Sequence, residues 1–215
     1  MAKDRYYDAL DYLEIHVPLH DPPKPATLRR RRREAPDPVG FGMLVSGFHL
    51  GVAAPDALAT IAAEAGNTRA EVVVFQSIAA VTPSQANRDG LRRFFDEVAP
   101  ADRMGGARRA WLPHGLWDPQ TAAKLAAEIG LLYVCDPLAR DQLGPPPEFY
   151  AGLGEQAYFR LTGLGGGGQT QFAAHELEFL AALAASYQHC WTVFANPGRF
   201  RDAVALRQLI AGGES

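Results

Sequence analysis

Ala157-Tyr-Phe-Arg-Leu-Thr-Gly-Leu-Gly-Gly-Gly-Gly-Gln169 is a short apolar strand that carries one arginine and opens into a run of glycines. Side chains alternate faces along a strand, so Arg160 and Thr162 share one side while Phe159 and Leu161 share the other. A helical pattern over 173–187 follows, which makes the stretch one strand–turn–helix unit. Glycines place no Cβ between backbone and ligand, and successive N–H groups in such a turn can cradle an anion. Gly165, Gly166 and Gly167 are therefore candidate ligand-binding positions.

The same unit recurs outward from this point in both directions. Strand-like segments at 12–17, 41–45, 72–76, 110–112, 131–136, 158–162 and 190–194 alternate with helical ones at 25–35, 55–65, 84–98, 118–129, 173–187 and 201–210. Short apolar strands separated by helices pair in parallel through right-handed crossovers, the pattern of an α/β barrel or a doubly wound sheet. Asp118 followed by Pro119, and Ser84 ahead of Leu91, Phe94 and Phe95, are helix-start signals. The stiff loop Gly144-Pro-Pro-Pro147 and the residues after it form the longest irregular connection. No linker or repeat interrupts the pattern, so 1–215 reads as a single domain.

Composition narrows the function classes. The chain has 215 residues, 47% of them hydrophobic, enough for one sizeable core. A formal net charge of −3 gives no global attraction to nucleic acid, which leaves only local patches such as the five arginines at 29–33. No aromatic residues interleave with those arginines, so nucleic acid is not the favoured partner and a solvated helix is expected. Two cysteines, Cys135 and Cys190, sit inside apolar runs and make neither a disulfide framework nor a zinc motif. No apolar run reaches the roughly 18 residues of a membrane span, and the protein is read as cytoplasmic with no membrane partner.

Parity within the strands gathers the polar residues. Tyr12, Glu14 and His16 share a face, as do Leu112 with His114, Val134 with Asp136, and Arg160 with Thr162. In a parallel barrel such residues meet near the carboxyl ends of the strands, where active sites lie. Glu14, Asp136 and Arg160 are the candidates for any catalysis, the acids as base or ligand and the arginine stabilising developing charge. Gln76, His114, Thr162 and Asn196 are candidate ligand contacts. His16 and His114 have the right chemistry to bind a divalent metal, although no diagnostic spacing supports them. No Ser or Cys stands in a nucleophile-elbow context.

Taken together, Trp111-Leu-Pro-His-Gly-Leu-Trp117, Gly130-Leu-Leu-Tyr-Val-Cys-Asp-Pro137, Ala157-Tyr-Phe-Arg-Leu-Thr-Gly163, Val193-Phe-Ala-Asn196 and Arg201-Asp-Ala203 carry a family likeness. With Leu13-Glu-Ile-His16 and Val74-Phe-Gln76, their order and spacing resemble the YecE-like family, domain of unknown function 72. The resemblance implies a TIM-type barrel whose activity is unassigned, and nucleic-acid processing is suggested for such barrels only by analogy of fold. Numbered as a full barrel of that family, the strand at 158–162 is the seventh. Its glycine run then falls where TIM barrels commonly bind phosphate.

Several positions depart from the family pattern. Leu112 and His114 stand where Trp-Glu-Pro-Arg-Gly has its acid and arginine, Thr162 replaces a histidine, Ala195 replaces an asparagine, and His16 replaces an asparagine. Residues 1–10 read as the helix that follows the family's first strand, so that strand is expected to be missing. Seven strand–helix units then leave an open sheet edge, which a second copy of the chain or another protein is expected to cover. The resulting expectation is a divergent barrel protein binding a small anionic or phosphate-bearing ligand at a carboxyl-end pocket, with little or no catalysis. Metal-assisted phosphoester hydrolysis and docking of a partner through the open edge are the alternatives.

Overall fold

The computed structural model describes residues 3–48, 50, 55–139, 154–163 and 171–213. Seven α-helices and seven strands occur among them, in the order α1 (Lys3–Ala9), β1 (Tyr12–Pro18), α2 (Pro25–Glu34), β2 (Gly40–Phe48), α3 (Pro55–Thr68), β3 (Ala70–Ser77), α4 (Gln85–Arg93), β4 (Arg108–Leu112), α5 (Pro119–Glu128), β5 (Leu132–Cys135), β6 (Gln156–Leu161), α6 (Ala174–Ala184), β7 (His189–Phe194) and α7 (Arg199–Gly213). The strands pair in sequence order, and each pairing is parallel. In this ladder, and among the described residues, β1 pairs only with β2 and β7 only with β6. No helix among the described residues is long and apolar enough to cross a membrane.

By contact density the chain divides into two units, residues 11–133 and residues 1–10 with 134–215. In the first unit, register places Tyr12 against Gly40, Glu14 against Gly42 and His16 against Leu44. The two glycines make room for the Tyr12 ring. A Cβ at Gly42 would fall 2.8 Å from its Cζ, and one at Gly40 3.0 Å from its Cδ2. On the opposite face, Ile15, Val17, Met43, Val45, Val73 and Phe75 are buried in the core. Phe75 packs edge-to-face against Phe94 and Phe95, with centroids 5.8 and 5.4 Å away.

Helix ends in this unit follow local chemistry. Ser84 Oγ accepts from the Asn87 N–H at 3.3 Å, and Asp118 Oδ2 accepts from the Thr121 N–H at 2.8 Å. α4 runs on into one π-helical turn, Phe94–Val98, closed by Ala99 N–H donating to Phe94 O at 2.8 Å. Arg109 caps it, donating through Nη1 to Phe95 O at 2.6 Å and Ala99 O at 3.1 Å. Burial pulls the Arg109 pKa down, while Asp96 and Asp102 hold it up. The arginine run on α2 is not uniform. Arg32 is tucked in, donating to Val39 O at 2.6 Å and Pro36 O at 3.2 Å, with its guanidinium 4.9 Å from the Phe41 ring centre. Arg31 and Arg33 stay exposed.

The second unit is built on β6, β7 and the end of β5. Tyr158 stacks on Trp191 at 6.3 Å on one face, and Phe159 meets Tyr187 edge-on at 5.8 Å on the other. α1 packs on α7 through Tyr6 and Phe200, 5.7 Å apart, and Arg207 Nη1 donates to Asp8 O at 3.4 Å. Burial raises the Tyr6 pKa, opposed by Arg199. α6 starts with Glu176 Oε2 accepting from the Ala173 N–H at 2.8 Å.

Candidate functional site

In the first unit a polar row crosses the carboxyl ends of β1, β2 and β3. Ser46 is the register partner of Pro18 on one side and of Gln76 on the other, so His16, Ser46 and Gln76 share one face. His16 Nε2 lies 2.6 Å from Ser46 Oγ. His16 is exposed, and Ser46, Gln76 and Glu14 are half-buried. Ser46 is held from below by Leu19 N–H donating to its carbonyl at 3.1 Å. The next residue, Gly47, has φ +81° and no partner in the β2–β3 register, which is the geometry of a bulge that re-aims the strand end.

His114 sits on the turn after β4, and that turn is braced from behind. Ser77 Oγ accepts from Trp111 Nε1 at 3.3 Å and from the His114 N–H at 3.4 Å. Trp117 packs edge-on against Trp111 at 4.8 Å and donates its Nε1–H to Val81 O. Gly115, at φ +90°, passes so close to Ala79 that a Cβ would lie 2.8 Å from its carbonyl oxygen. The result is a rigid turn that presents His114 and an 81%-exposed Leu116 to solvent.

In the second unit Asp136 follows β5 directly, one residue beyond the paired Cys135 and Phe159, so continuing that register leads to Arg160 on β6. Its carboxylate is committed to backbone and hydroxyl donors. Oδ2 accepts from the Thr162 N–H at 2.8 Å and from Thr162 Oγ1 at 3.1 Å, and Oδ1 accepts from the Leu138 N–H at 3.1 Å. Three hydrogen bonds make Asp136 a clamp joining the two strand ends, a role at odds with a mobile general base. Arg160 is half-buried on the face that carries Tyr158, and its register partner on β7 is Val193. Gly163, at φ +76°, then turns the chain. Gly165, Gly166 and Gly167 lie outside the described residues. Asn196 is buried, and its Nδ2 donates to the equally buried Asp202 at 2.6 Å, so this amide braces the start of α7.

Cys135 belongs to the core and Cys190 is half-buried. Cys135 and Cys190 lie on the non-neighbouring strands β5 and β7 with β6 between them, a separation of about 9.6 Å that no disulfide spans. Burial pushes the Cys135 thiol well up, helped by Asp136 and Cys190. Burial likewise raises Cys190 to about 11, against a hydrogen bond from Thr192. Tyr187 beside them is raised to about 12 by burial and by the two cysteines. Neither thiol is a nucleophile at neutral pH. Among the described residues, no group of three or more His, Cys, Asp and Glu side chains could hold a metal ion. The metal expectation for His16 and His114 therefore finds no third ligand there.

Ser46 and Ser77 were not singled out by sequence reasoning. Ending the second strand at Val45 put Ser46 in a loop, whereas extending the alternation Gly40, Gly42, Leu44 by one step places it on the His16 face.

These strands, crossovers and carboxyl-end polar residues define an α/β protein of the TIM-barrel type. Among solved structures, the chain is similar to a DUF72 family protein from Thermotoga maritima, with a TM-score of 0.68, 16% identity, and coverage of 96% of this chain and 85% of that one. A DUF72 family protein from Enterococcus faecalis matches with a TM-score of 0.68 at 13% identity, covering 98% and 92%. A D-tagatose 3-epimerase-like protein matches with a TM-score of 0.65 at 16% identity, covering 94% and 88%. No protein-family model matches the sequence, and no curated protein does. The fold is thus that of the DUF72 proteins, as the resemblance in the sequence implies.

Proposed function

We propose that the protein binds a small anionic, phosphate-bearing ligand at the carboxyl end of β6. The observation that carries this reading is Arg160: a half-buried arginine on the strand that ends just before Gly163, whose φ of +76° turns the chain ahead of the glycine run in the sequence. A planar, permanently charged fork is suited to phosphate oxygens, and loops at the carboxyl ends of parallel strands are where α/β folds of this type hold them. The Asp136–Thr162 clamp ties the end of Arg160's own strand to the end of β5, which pre-orders that side of the site before a ligand arrives.

A thermal-shift series tests it, with inorganic phosphate, ribose 5-phosphate and sodium sulfate titrated against the wild type and Arg160→Ala. A ligand at about 100 times its Kd stabilises the native state by about 2.7 kcal/mol, a rise of several degrees. Such a rise with a phosphate compound, absent from a folded Arg160→Ala, supports the reading. No rise, or the same rise in the variant, refutes it.

A further inference from the structure

We infer that His16, Ser46 and Gln76 form an acyl-transfer site for small carboxylic esters, a function separate from anion binding at β6 and not dependent on it. Two independent observations meet here. The first is the 2.6 Å contact between Ser46 Oγ and His16 Nε2, within the reach that a base needs to take a hydroxyl proton. With the ring proton on Nδ1, the serine hydroxyl donates to Nε2. The second is Gln76: its amide is half-buried at the register position beside Ser46, on the same face, and makes no hydrogen bond among the described residues. The half-buried amide is open to solvent and uncommitted, and a side-chain amide next to a nucleophile is a donor for a developing oxyanion.

The surroundings leave room for a substrate. Among the described residues other than its chain neighbours, no atom lies within 4 Å of the position a Cβ would occupy on Gly47, immediately after Ser46. The bulge there and the bond from Leu19 to the Ser46 carbonyl fix the strand end. His16 is exposed, so the pair is accessible without any movement of the chain.

The step runs as follows. Ser46 Oγ attacks the ester carbonyl carbon while its proton passes to His16 Nε2, and the carbonyl π pair moves onto oxygen, where the Gln76 N–H donates to it. The tetrahedral adduct collapses, the C–O bond to the alcohol breaks, and the leaving oxygen takes the proton from His16, which leaves Ser46 acylated. Water then attacks the acyl carbon with His16 again accepting and returning the proton, releasing the acid and free Ser46. Ester and water become acid and alcohol, with no other reactant. No carboxylate holds His16 Nδ1 among the described residues, where Ser46 is its one hydrogen-bond partner. A pair lacking that third member suits esters with good leaving groups and not amides.

The test is covalent labelling with a fluorophosphonate probe, read by intact mass and peptide mapping. A single adduct on Ser46 is expected in the native protein, absent from urea-unfolded protein and from Ser46→Ala. Labelling in His16→Ala and His16→Gln, both at an exposed position and checked for folding by circular dichroism, is expected to slow by about 100-fold or more. Gln76→Leu is expected to lower the p-nitrophenyl acetate burst rate by about 100-fold. No adduct on Ser46, or equal labelling rates with and without His16, overturns the inference.

Discussion

Replacing Gly115 by alanine tests whether the turn carrying His114 is held where the structure puts it. Two costs are separable. The backbone there has φ +90°, and forcing a residue with a Cβ into a left-handed conformation costs roughly 1–2 kcal/mol. The added Cβ would also lie 2.8 Å from Ala79 O and 3.1 Å from Ala79 Cα, backbone atoms that cannot rotate away, and overpacking of this kind costs roughly 1–3 kcal/mol. Gly115→Ala is therefore expected to lose about 2–5 kcal/mol. With an m-value of about 2–3 kcal/mol/M, the urea midpoint falls by roughly 1–2 M. Gly106 supplies the control: its φ is +88°, but no atom of the described residues beyond its chain neighbours lies within 4 Å of its Cβ position. Gly106→Ala should show the backbone cost alone, about 1–2 kcal/mol. The difference between the two variants measures the contact with Ala79. Equal midpoints would refute the close approach and the braced turn with it.

Two further outcomes follow from the packing and the buried thiols. Arg32→Ala removes two donors to backbone carbonyls and a contact with Phe41, and should cost about 2–4 kcal/mol in urea unfolding, whereas Arg31→Ala and Arg33→Ala should stay within about 0.5 kcal/mol. Comparable effects at all three arginines would contradict the packing of α2. Cys190 keeps its proton to about 11 in the folded state against an ordinary 9.0, so between those values the unfolded chain has lost a proton that the native state retains. Stability then falls as pH rises from about 9 to about 11, and urea midpoints of Cys190→Ala should fall less across that window. Parallel pH dependence in wild type and variant would show that the thiol is not buried as described.

Strand and helix positions were legible because each depends on a few neighbouring residues. The alternation at 12–17 and the caps at Ser84 and Asp118 are local signals, and the structure keeps them. Features that depend on distant partners were not legible. Arg109 as the cap of the π turn, Arg32 as the one inserted member of its run, and Asp136 as the clamp on Thr162 each require knowing which carbonyl or donor the fold brings near. Chemical type alone suggested a base or a ligand for Asp136. Its three hydrogen bonds give it a structural task instead. Ser46 was hidden for a different reason: one residue of strand length decides whether it belongs to the polar face, and strand ends are the least determined part of a periodic pattern.

The central claim is that Arg160 holds an anion at the carboxyl end of β6. Isothermal titration of ribose 5-phosphate into the wild type, Arg160→Ala and Arg160→Lys measures it most directly. Binding by the wild type that drops about 10-fold or more in Arg160→Lys and vanishes in a folded Arg160→Ala is the predicted result, since a lysine keeps the charge but loses the bidentate fork. Unchanged affinity in both variants, or no heat from any of the three proteins, would contradict the account.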